Sequence, residues 1–367
     1  MSSTTVANLL KRDNNNFDLV RVLCASFVIF GHSYRVNPIP GQEGFVRAFT
    51  GFTYSSALAV KIFFFISGML VTNSLLRRRS VSVFALSRFF RVFPALWLVV
   101  VVTAFVIGPI VSRLSLSEYF ANGQVYKYVY GNMLMSTQHF LPGVFEKHPW
   151  GHYVNSSLWT LRVEIKCYLG LLCLYIFTGP RKMFLNVVAG IIVADAIFHL
   201  GYIGISATTE LSLLPFSFAL GILMAVNKDV VKINWYIAGA CILGTIALWQ
   251  VPHVNEIMLI TTICALIILF SGASWVRKIK VTHDISYGVY LWGFLVQQLI
   301  YHIFGTQNIY LYIVECLLVS YICGYISFVT VEQHAINIGY RFTSRISSSF
   351  DGLAGIILAG NRRSGTS

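Results

Sequence analysis

The 367-residue sequence contains few charged residues. Asp, Glu, Lys and Arg make up 11% of it, against roughly 25% in a typical soluble domain. Only 14 residues are acidic, beside 27 Lys and Arg, and the mean hydropathy is +0.70. A soluble chain could not bury so much apolar surface in a core of ordinary size. Composition therefore excludes soluble, disordered and collagen-like proteins and predicts a chain that crosses a membrane many times.

Metal-binding and disulfide signals are also missing. The seven cysteines lie in apolar runs, and no Cys-x-x-Cys pair or other metal-ligand spacing is present. We therefore expect buried thiols, no disulfide framework and no bound metal. The net charge of +13 could indicate nucleic-acid binding, but membrane proteins concentrate basic residues on their cytoplasmic side. We ascribe the charge to topology and expect no nucleic-acid partner.

Long apolar runs predict the architecture, because a helix needs about twenty such residues to cross a bilayer. Ten runs qualify as predicted spans: 17–34, 56–76, 90–112, 157–178, 183–202, 211–226, 233–250, 255–272, 285–304 and 309–330. The predicted fold is an all-α bundle of about ten transmembrane helices within one domain, residues 1–340. The Ser-, Gly- and Arg-rich tail, 341–367, is expected to be cytoplasmic and mobile.

The distribution of basic residues predicts the orientation of this bundle. If the N-terminus is cytoplasmic, the segments on its side hold 18 Lys and Arg, and the opposite segments hold five. Since basic residues accumulate on the cytoplasmic side, both termini are predicted to be cytoplasmic. Two long segments, 35–55 and 113–156, then lie on the outer side.

Ionisable side chains inside membrane helices are costly, so each one marks a candidate site. Arg21 and His32 lie eleven positions apart on the first span, which places them on one helix face about 16 Å apart. The cytoplasmic half is otherwise almost purely cationic, through Arg77, Arg78, Arg79, Arg88 and Arg91. The outer half mixes imidazole, carboxylate, ammonium and amide groups, among them His32, Lys61, Glu164, Gln297 and Gln298.

This asymmetry predicts two half-sites with different chemistry. Guanidinium groups bind phosphate oxygens two at a time, so the arginines suit a phosphate-bearing ligand. At the outer end, His32 is a candidate general base, because imidazole titrates near neutral pH. The carboxylate of Glu164 lies at a compatible depth to orient that ring.

Each assignment has a simpler alternative. Arg77–Arg79 could serve only to anchor the topology, and His32 could be an interfacial residue. Glu164 could pair with Arg162 or Lys166. Hydrogen bonding between helices alone could explain the pair Gln297 and Gln298.

Several stretches resemble the acyltransferase family 3 membrane proteins, which O-acylate carbohydrates. The marker is an arginine followed after ten residues by a histidine, present here as Arg21 and His32. Similar stretches follow in the family's order: FFFISGML from Phe63, RFFRVFPALW from Arg88, SLWTLRVEIKCY from Ser157, SYGVYLWGFLVQQ from Ser286 and VEQH from Val331. Gly293 stands where many members have histidine, and with the Gln-Gln pair that follows it is similar to the O-antigen acetylases.

The resemblance implies an enzyme that moves an acetyl group from cytoplasmic acetyl-CoA to a sugar hydroxyl on the far face of a bacterial inner membrane. The acceptor would be a lipid-linked or polymeric cell-surface glycan such as O-antigen, and no cofactor would be permanently bound. His32 would be the catalytic histidine with Arg21 as its partner, and Arg88 and Arg91 would bind the coenzyme phosphates. Five residues are expected on the acceptor side: Trp159, Thr160, Lys61, Gln297 and Gln298.

A transporter or flippase of a lipid-linked or acidic solute is the main alternative, since it too would hold charges near the bilayer midplane. Such proteins often have repeated halves with Gly- or Pro-broken helices in matching positions, and the sequence shows neither. A receptor or a purely structural protein would leave Arg21 and His32 unexplained.

Overall fold

A computed structural model describes residues 4–201 and 213–344. Most of these residues are helical. The α-helices are α1 (Val6–Leu9), α2 (Phe17–Val36), α3 (Phe45–Thr50), α4 (Ser55–Arg78), α5 (Val81–Val102), α6 (Gly108–Val111), α7 (Leu116–Ala121), α8 (Gly123–Met133), α9 (Trp159–Thr178), α10 (Lys182–Phe198), α11 (Leu214–Val226), α12 (Trp235–Ala247), α13 (Val254–Gly272), α14 (Ser274–Lys278), α15 (Ser286–Phe304) and α16 (Ile309–Ser327). The predicted tail lies outside the described residues from 345 onward, as do 202, 211 and 212 of the predicted spans.

Few other elements occur in the described ranges. Two short strands, β1 (Thr4–Thr5) and β2 (Lys232–Ile233), pair antiparallel and tie the N-terminal segment to the start of α12. Two π-helical segments, Thr103–Ile107 and Phe328–Glu332, extend α5 and α16. As a result, α5 continues to Val111 and α16 to Ser344 as unbroken helical rods.

Among the described residues, each of the ten predicted spans overlaps at least one helix, and five helices are long and apolar enough to cross a membrane. These five are Phe17–Val36, Ser55–Arg78, Val81–Val111, Val254–Gly272 and Ile309–Ser344. Helices α11 and α12 are apolar but shorter, and α9 carries three charged residues, Arg162, Glu164 and Lys166. The structure thus confirms an all-α membrane protein with several apolar helices, while ten crossings and cytoplasmic termini stay predictions.

Glycines bring the central helices into close contact. A Cβ atom on Gly68 of α4 would lie 2.3 Å from the carbonyl oxygen of Phe218 on α11, and one on Gly221 of α11 would lie 2.3 Å from that of Phe65. On α15, a Cβ atom on Gly288 would lie 2.8 Å from the carbonyl oxygen of Gly324 on α16. Such small residues let membrane helices pack backbone against backbone.

Helix α2 runs past the whole site, because Arg21 lies near its start and His32 near its end. We call the end of the bundle that holds Arg21 the arginine end, and the end that holds His32 the histidine end. Helices α5 and α15 begin at the arginine end, whereas α9 begins at the histidine end. The segment 134–155, between α8 and the turn before α9, covers part of the histidine end.

Candidate active site

At the arginine end, two carboxylates hold two arginines. Oδ2 of Asp284 lies 2.6 Å from Nη2 of Arg91 and 3.3 Å from Nη1 of Arg21. Arg21 also pairs with Asp18, one turn earlier on α2. The other side of Arg91 faces Glu332, with Nη1 3.6 Å from Oε2. The network joins α2, α5, α16 and the residues that precede α15.

This network corrects one expectation from the sequence. The arginine end is not almost purely cationic, because Asp18, Asp284 and Glu332 lie among its arginines. Burial raises the pKa of the Asp284 carboxyl, but the charges of Arg21 and Arg91 and hydrogen bonds from Ser286 lower it to about 2. Asp284 is therefore ionised at neutral pH and neutralises part of the charge of both arginines.

Arg88 differs from Arg91, although both lie on one face of α5. Within the described part of the chain, Arg88 has no ion pair or hydrogen bond, and it lines two neighbouring cavities. Arg77, Arg78 and Arg79 are exposed at the end of α4. Arg78 lines the cavity at the arginine end, whereas Arg79 adopts a left-handed conformation with φ 52° that terminates α4.

Three cavities follow one another from the arginine end to the histidine end. The arginine-end cavity measures about 540 Å³ and shares Arg21, Arg88 and Arg91 with a central cavity of about 220 Å³. The central cavity shares Thr160 and Tyr290 with a histidine-end cavity of about 590 Å³. Shared lining residues thus connect the arginines to His32 through the interior of the bundle.

The central cavity holds Glu164. Its carboxylate accepts hydrogen bonds from the hydroxyls of Tyr168 and, at 3.3 Å, Ser67. Arg162 and Lys166 are exposed and make no ion pair with Glu164 in the described ranges, which removes the pairing alternative. Nor does any hydrogen bond between the described residues join Glu164 to His32, so its role in orienting that ring stays a prediction.

Thr160 and Tyr290 form the boundary between the central and histidine-end cavities. Their side-chain oxygens are 2.5 Å apart, which links α9 to α15. The Tyr290 hydroxyl also donates a hydrogen bond to the carbonyl oxygen of Ser157, at 3.1 Å. A flexible ligand arm that extends from one cavity into the other must therefore pass the hydrogen-bonded pair Thr160 and Tyr290.

In the histidine-end cavity, aromatic rings surround His32. Its ring contacts Trp150 and Phe294 edge to face, at centroid distances of 5.1 and 5.5 Å. The guanidinium of Arg35 stacks over Trp150 at 4.4 Å. Nδ1 of His32 is buried without a hydrogen-bond partner among the described residues. Trp150 and Tyr54, which line this cavity, can hold a hydroxyl-rich ligand. The unpaired imidazole of His32 can accept the proton of such a ligand.

The other predicted acceptor-side residues separate into two groups. Trp159 and Thr160 line the histidine-end cavity. Lys61 is buried and pairs with Glu256 of α13, apart from the three cavities. The side-chain amide of Gln297 donates to the carbonyl of Ile29 and the hydroxyl of Ser33, both at 2.8 Å. This agrees with the simpler alternative that it links helices, here α15 and α2.

Gln298 anchors the segment that carries Trp150. Its amide donates to the carbonyl oxygen of Tyr153 at 2.7 Å, and its Oε1 lies 2.8 Å from Nδ1 of His148. Trp150 lies between these two attachment points in the sequence. Gln298 therefore acts on the His32 pocket through this loop rather than by facing the cavity.

Sequence reasoning missed Asp284, Arg35 and Trp150. An acidic residue just before the SYGVYLWGFLVQQ stretch was an available signal for Asp284, since a carboxylate at the start of a membrane helix calls for a partner. Arg35 lies in the last turn of α2, three positions after His32, so the helical spacing was an available signal for it. Trp150 offered none, because it lies in a segment without periodicity and its position depends on how that segment folds back over α2.

Comparisons with known proteins agree with this site. The family model described as an acyltransferase domain matches residues 14–331. The chain is 28% identical to the O-acetyl transferase of Shigella phage Sf6 in an alignment 312 positions long, which covers 78% of this chain and 86% of the relative. It is 25% identical to Nodulation protein 10 of Rhizobium leguminosarum bv. viciae in an alignment 375 positions long, which covers 90% of this chain and 95% of the relative. No solved structure matches the chain significantly.

Proposed function

Because the chain belongs to the acyltransferase family whose domain model spans residues 14–331, we propose that it moves an acetyl group from acetyl-CoA to a sugar hydroxyl. It is an acyltransferase enzyme with several membrane helices. In our proposal the donor enters at the arginine end and the acceptor binds at the histidine end. The row of three cavities that connects the two ends carries this assignment.

The arginine-end cavity suits the nucleotide part of the donor. Coenzyme A carries a diphosphate and a 3′-phosphate, and guanidinium groups bind phosphate oxygens in pairs. Arg88 is the best candidate contact, because no carboxylate of the described residues neutralises it. Arg91 and Arg21 are held by Asp284 and shape the passage to the central cavity. The narrow pantetheine arm would then extend past Glu164 toward Thr160 and Tyr290.

The histidine-end cavity suits the acceptor. His32 accepts the proton of a sugar hydroxyl as that oxygen attacks the thioester carbonyl, so that a C–O bond forms and the C–S bond breaks. The departing thiolate takes up the proton, which regenerates the neutral imidazole. Trp150 and Trp159 offer flat apolar faces for a sugar ring, and Arg35 and Tyr54 offer polar groups at the rim.

The excess of basic residues on one side supports a direction for this transfer. Under the positive-inside rule, the arginine end in our proposal lies at the cytoplasm, where acetyl-CoA is made, and the histidine end lies on the outer face of a bacterial inner membrane. A lipid-linked or polymeric cell-surface glycan, such as O-antigen, is the acceptor we propose. The relative from phage Sf6, an O-acetyl transferase, supports acetyl as the transferred group.

Vesicles of defined orientation test the proposal. Inside-out vesicles should incorporate label from added [acetyl-¹⁴C]acetyl-CoA into glycan, and sealed right-side-out vesicles should not. In parallel, single cysteines at two exposed positions, Glu43→Cys and Ser82→Cys, report sidedness in a background whose native thiols are blocked. An impermeant thiol reagent outside intact cells should label only Glu43→Cys. Labelling of Ser82→Cys, or transfer by right-side-out vesicles, would contradict the proposed direction.

A further inference from the structure

A fourth cavity opens beside the histidine-end cavity, between α9, α10 and α11. It measures about 690 Å³, more than any of the three cavities on the transfer path. Its lining is mainly aliphatic and comes from all three helices, for example Leu174, Leu185, Val188 and Ile222. We call it the side groove. It is continuous with the histidine-end cavity, because Trp159 and His139 line both.

Polarity changes along the α9 wall of the side groove. The lining residues Trp159, Arg162, Lys166, Gly170 and Leu174 are spaced by three or four positions, so they follow one face of the helix. In that order the wall passes from an aromatic residue at the His32 cavity, through two cations, to an apolar end. A ligand that lies along α9 therefore meets aromatic, cationic and then hydrocarbon surfaces.

The positive charges of Arg162 and Lys166 favour an anionic ligand in the side groove. Arg162 and Lys166 are exposed on the groove side and form no ion pair within residues 4–201 and 213–344. They lie on a helix predicted to cross the bilayer, where an unpaired charge is expensive and usually functional. Their long side chains can reach toward the membrane surface while their stems stay apolar. A phosphate group placed between them would neutralise both.

The far end of the side groove has room for a hydrocarbon chain. A Cβ atom added at Gly170 would meet no heavy atom within 4 Å, although this glycine lines the groove. The walls beyond it are aliphatic side chains of α9 and α10. A chain that lies there packs against these side chains and keeps an attached sugar beside the His32 cavity, an advantage that a free sugar lacks.

We infer that the side groove binds the acceptor as a sugar joined through phosphate to a long hydrocarbon chain. The chain lies along Gly170 and Leu174, the phosphate contacts Arg162 and Lys166, and the sugar passes Trp159 into the His32 cavity. This inference rests on the proposed function and narrows its acceptor to the lipid-linked class. A polymer already released from its lipid would leave the groove and both cations without a role.

A photoreactive probe tests the groove independently of catalysis. The probe is a twelve-carbon alkyl phosphate with a terminal diazirine, applied to purified full-length protein in detergent. Wild type should be crosslinked in α9 or α10, with unlabelled dodecyl phosphate competing and dodecanol not competing. The double variant Arg162→Gln, Lys166→Gln should lose about tenfold in crosslinking, because it removes both charged donors to the phosphate.

Two glycines provide a matched pair. Gly170→Leu should block the groove and abolish crosslinking. Gly190→Leu should leave crosslinking at the wild-type level, because Gly190 of α10 also has open space at its Cβ but does not line the groove. Both variants should fold, since no heavy atom lies within 4 Å of a Cβ atom added at either glycine. Equal crosslinking of the two variants, or competition by dodecanol as strong as by dodecyl phosphate, would overturn the phosphate-linked acceptor.

An activity comparison separates this inference from the proposed function. Lipid-linked oligosaccharide extracted from the host and the same oligosaccharide released by mild acid serve as acceptors for labelled acetyl-CoA. The lipid-linked form should have a KM about tenfold lower in wild type, because the anchored chain raises the effective concentration of the sugar at the His32 cavity, and Gly170→Leu should remove that difference. Transfer to both acceptors with equal KM would overturn the inference and leave acetyl transfer intact. Transfer to neither would overturn the proposed function as well.

Discussion

The Oδ2 atom of Asp284 accepts a 2.6 Å hydrogen bond from Nη2 of Arg91. The same oxygen lies 3.3 Å from Nη1 of Arg21, so one carboxylate sets the distance between α2 and α5 at the arginine end. Asp284→Asn should therefore destabilise the protein by about 3 kcal/mol, because Arg21 and Arg91 lose the carboxylate they share, and Asp18 and Glu332 offset only part of their charge. The melting temperature in detergent should fall, and the acetyl-CoA concentration for half-maximal rate should rise.

Asp229→Asn is the control for this substitution. Asp229 pairs with Lys182 at 3.3 Å, but its side chain is 60% exposed, and such surface pairs contribute only about 0–1 kcal/mol. The pKa of Asp284 lies below that of an unfolded aspartate, so its stabilising effect is complete above about pH 4 and is lost as the pH falls toward 2. Asp284→Asn should accordingly lower the melting temperature equally at pH 8 and pH 5. An unchanged melting temperature and an unchanged acetyl-CoA dependence would refute the role of Asp284.

Arg88 and Arg91 should respond differently to lysine. Arg88→Lys keeps the charge but loses the planar fork, so it should raise the acetyl-CoA requirement while protein abundance stays normal. Arg88→Ala should raise it further. Arg91→Lys should lower abundance first, because Arg91 holds Asp284 and Glu332. Arg77→Lys is the exposed control and should be silent. If Arg88→Lys has an unchanged acetyl-CoA dependence in membrane vesicles, Arg88 serves only as a topology anchor.

Substitution of Glu164 distinguishes a role of its carboxylate in the reaction from a role in folding. Glu164→Gln should lower the rate per enzyme molecule by about tenfold, because an amide replaces a carboxylate that accepts two hydroxyl hydrogen bonds. Abundance should stay near the wild-type level, since Arg162 and Lys166 do not depend on it. Rates are normalised to protein measured by immunoblot. Loss of abundance with full activity per molecule would place Glu164 in the scaffold.

The sequence predicted the helices better than the contacts between them. Apolar runs located a helix at every predicted span, because hydrophobic length is a local property. The relation of Arg21 to His32 also followed from sequence, since both belong to one helix. Asp284 and Trp150 did not, because their partners lie on other helices and loops that only the folded chain brings together. Gln297 and Gln298 were placed on the acceptor side, yet one links helices and the other anchors a loop.

Substitution of Gln298 tests whether segment 134–155 must be anchored to hold Trp150 beside His32. Gln298→Ala removes the support of Tyr153 and His148 and should cost about 1–3 kcal/mol through unsatisfied buried polar groups. Limited proteolysis should then cleave segment 134–155 faster, and the acceptor KM should rise as Trp150 loses its position. Gln124→Ala is the control, because the half-buried Gln124 donates only one side-chain hydrogen bond to this segment, a solvent-exposed one to the carbonyl oxygen of Phe140. Equal proteolysis of both variants would show that the loop holds without Gln298.

The role of His32 is the central claim, and one measurement tests it most directly. Wild type, His32→Ala and His152→Ala are expressed at equal levels, and base-labile acetyl esters are measured on the glycan. His152 is an exposed histidine of the segment that carries Trp150 and controls for loss of an imidazole. His32→Ala should lower acetylation by about 10²–10⁴-fold, the usual contribution of a general base, and His152→Ala should leave it unchanged. Retention of most acetylation by His32→Ala at equal protein level would contradict the account.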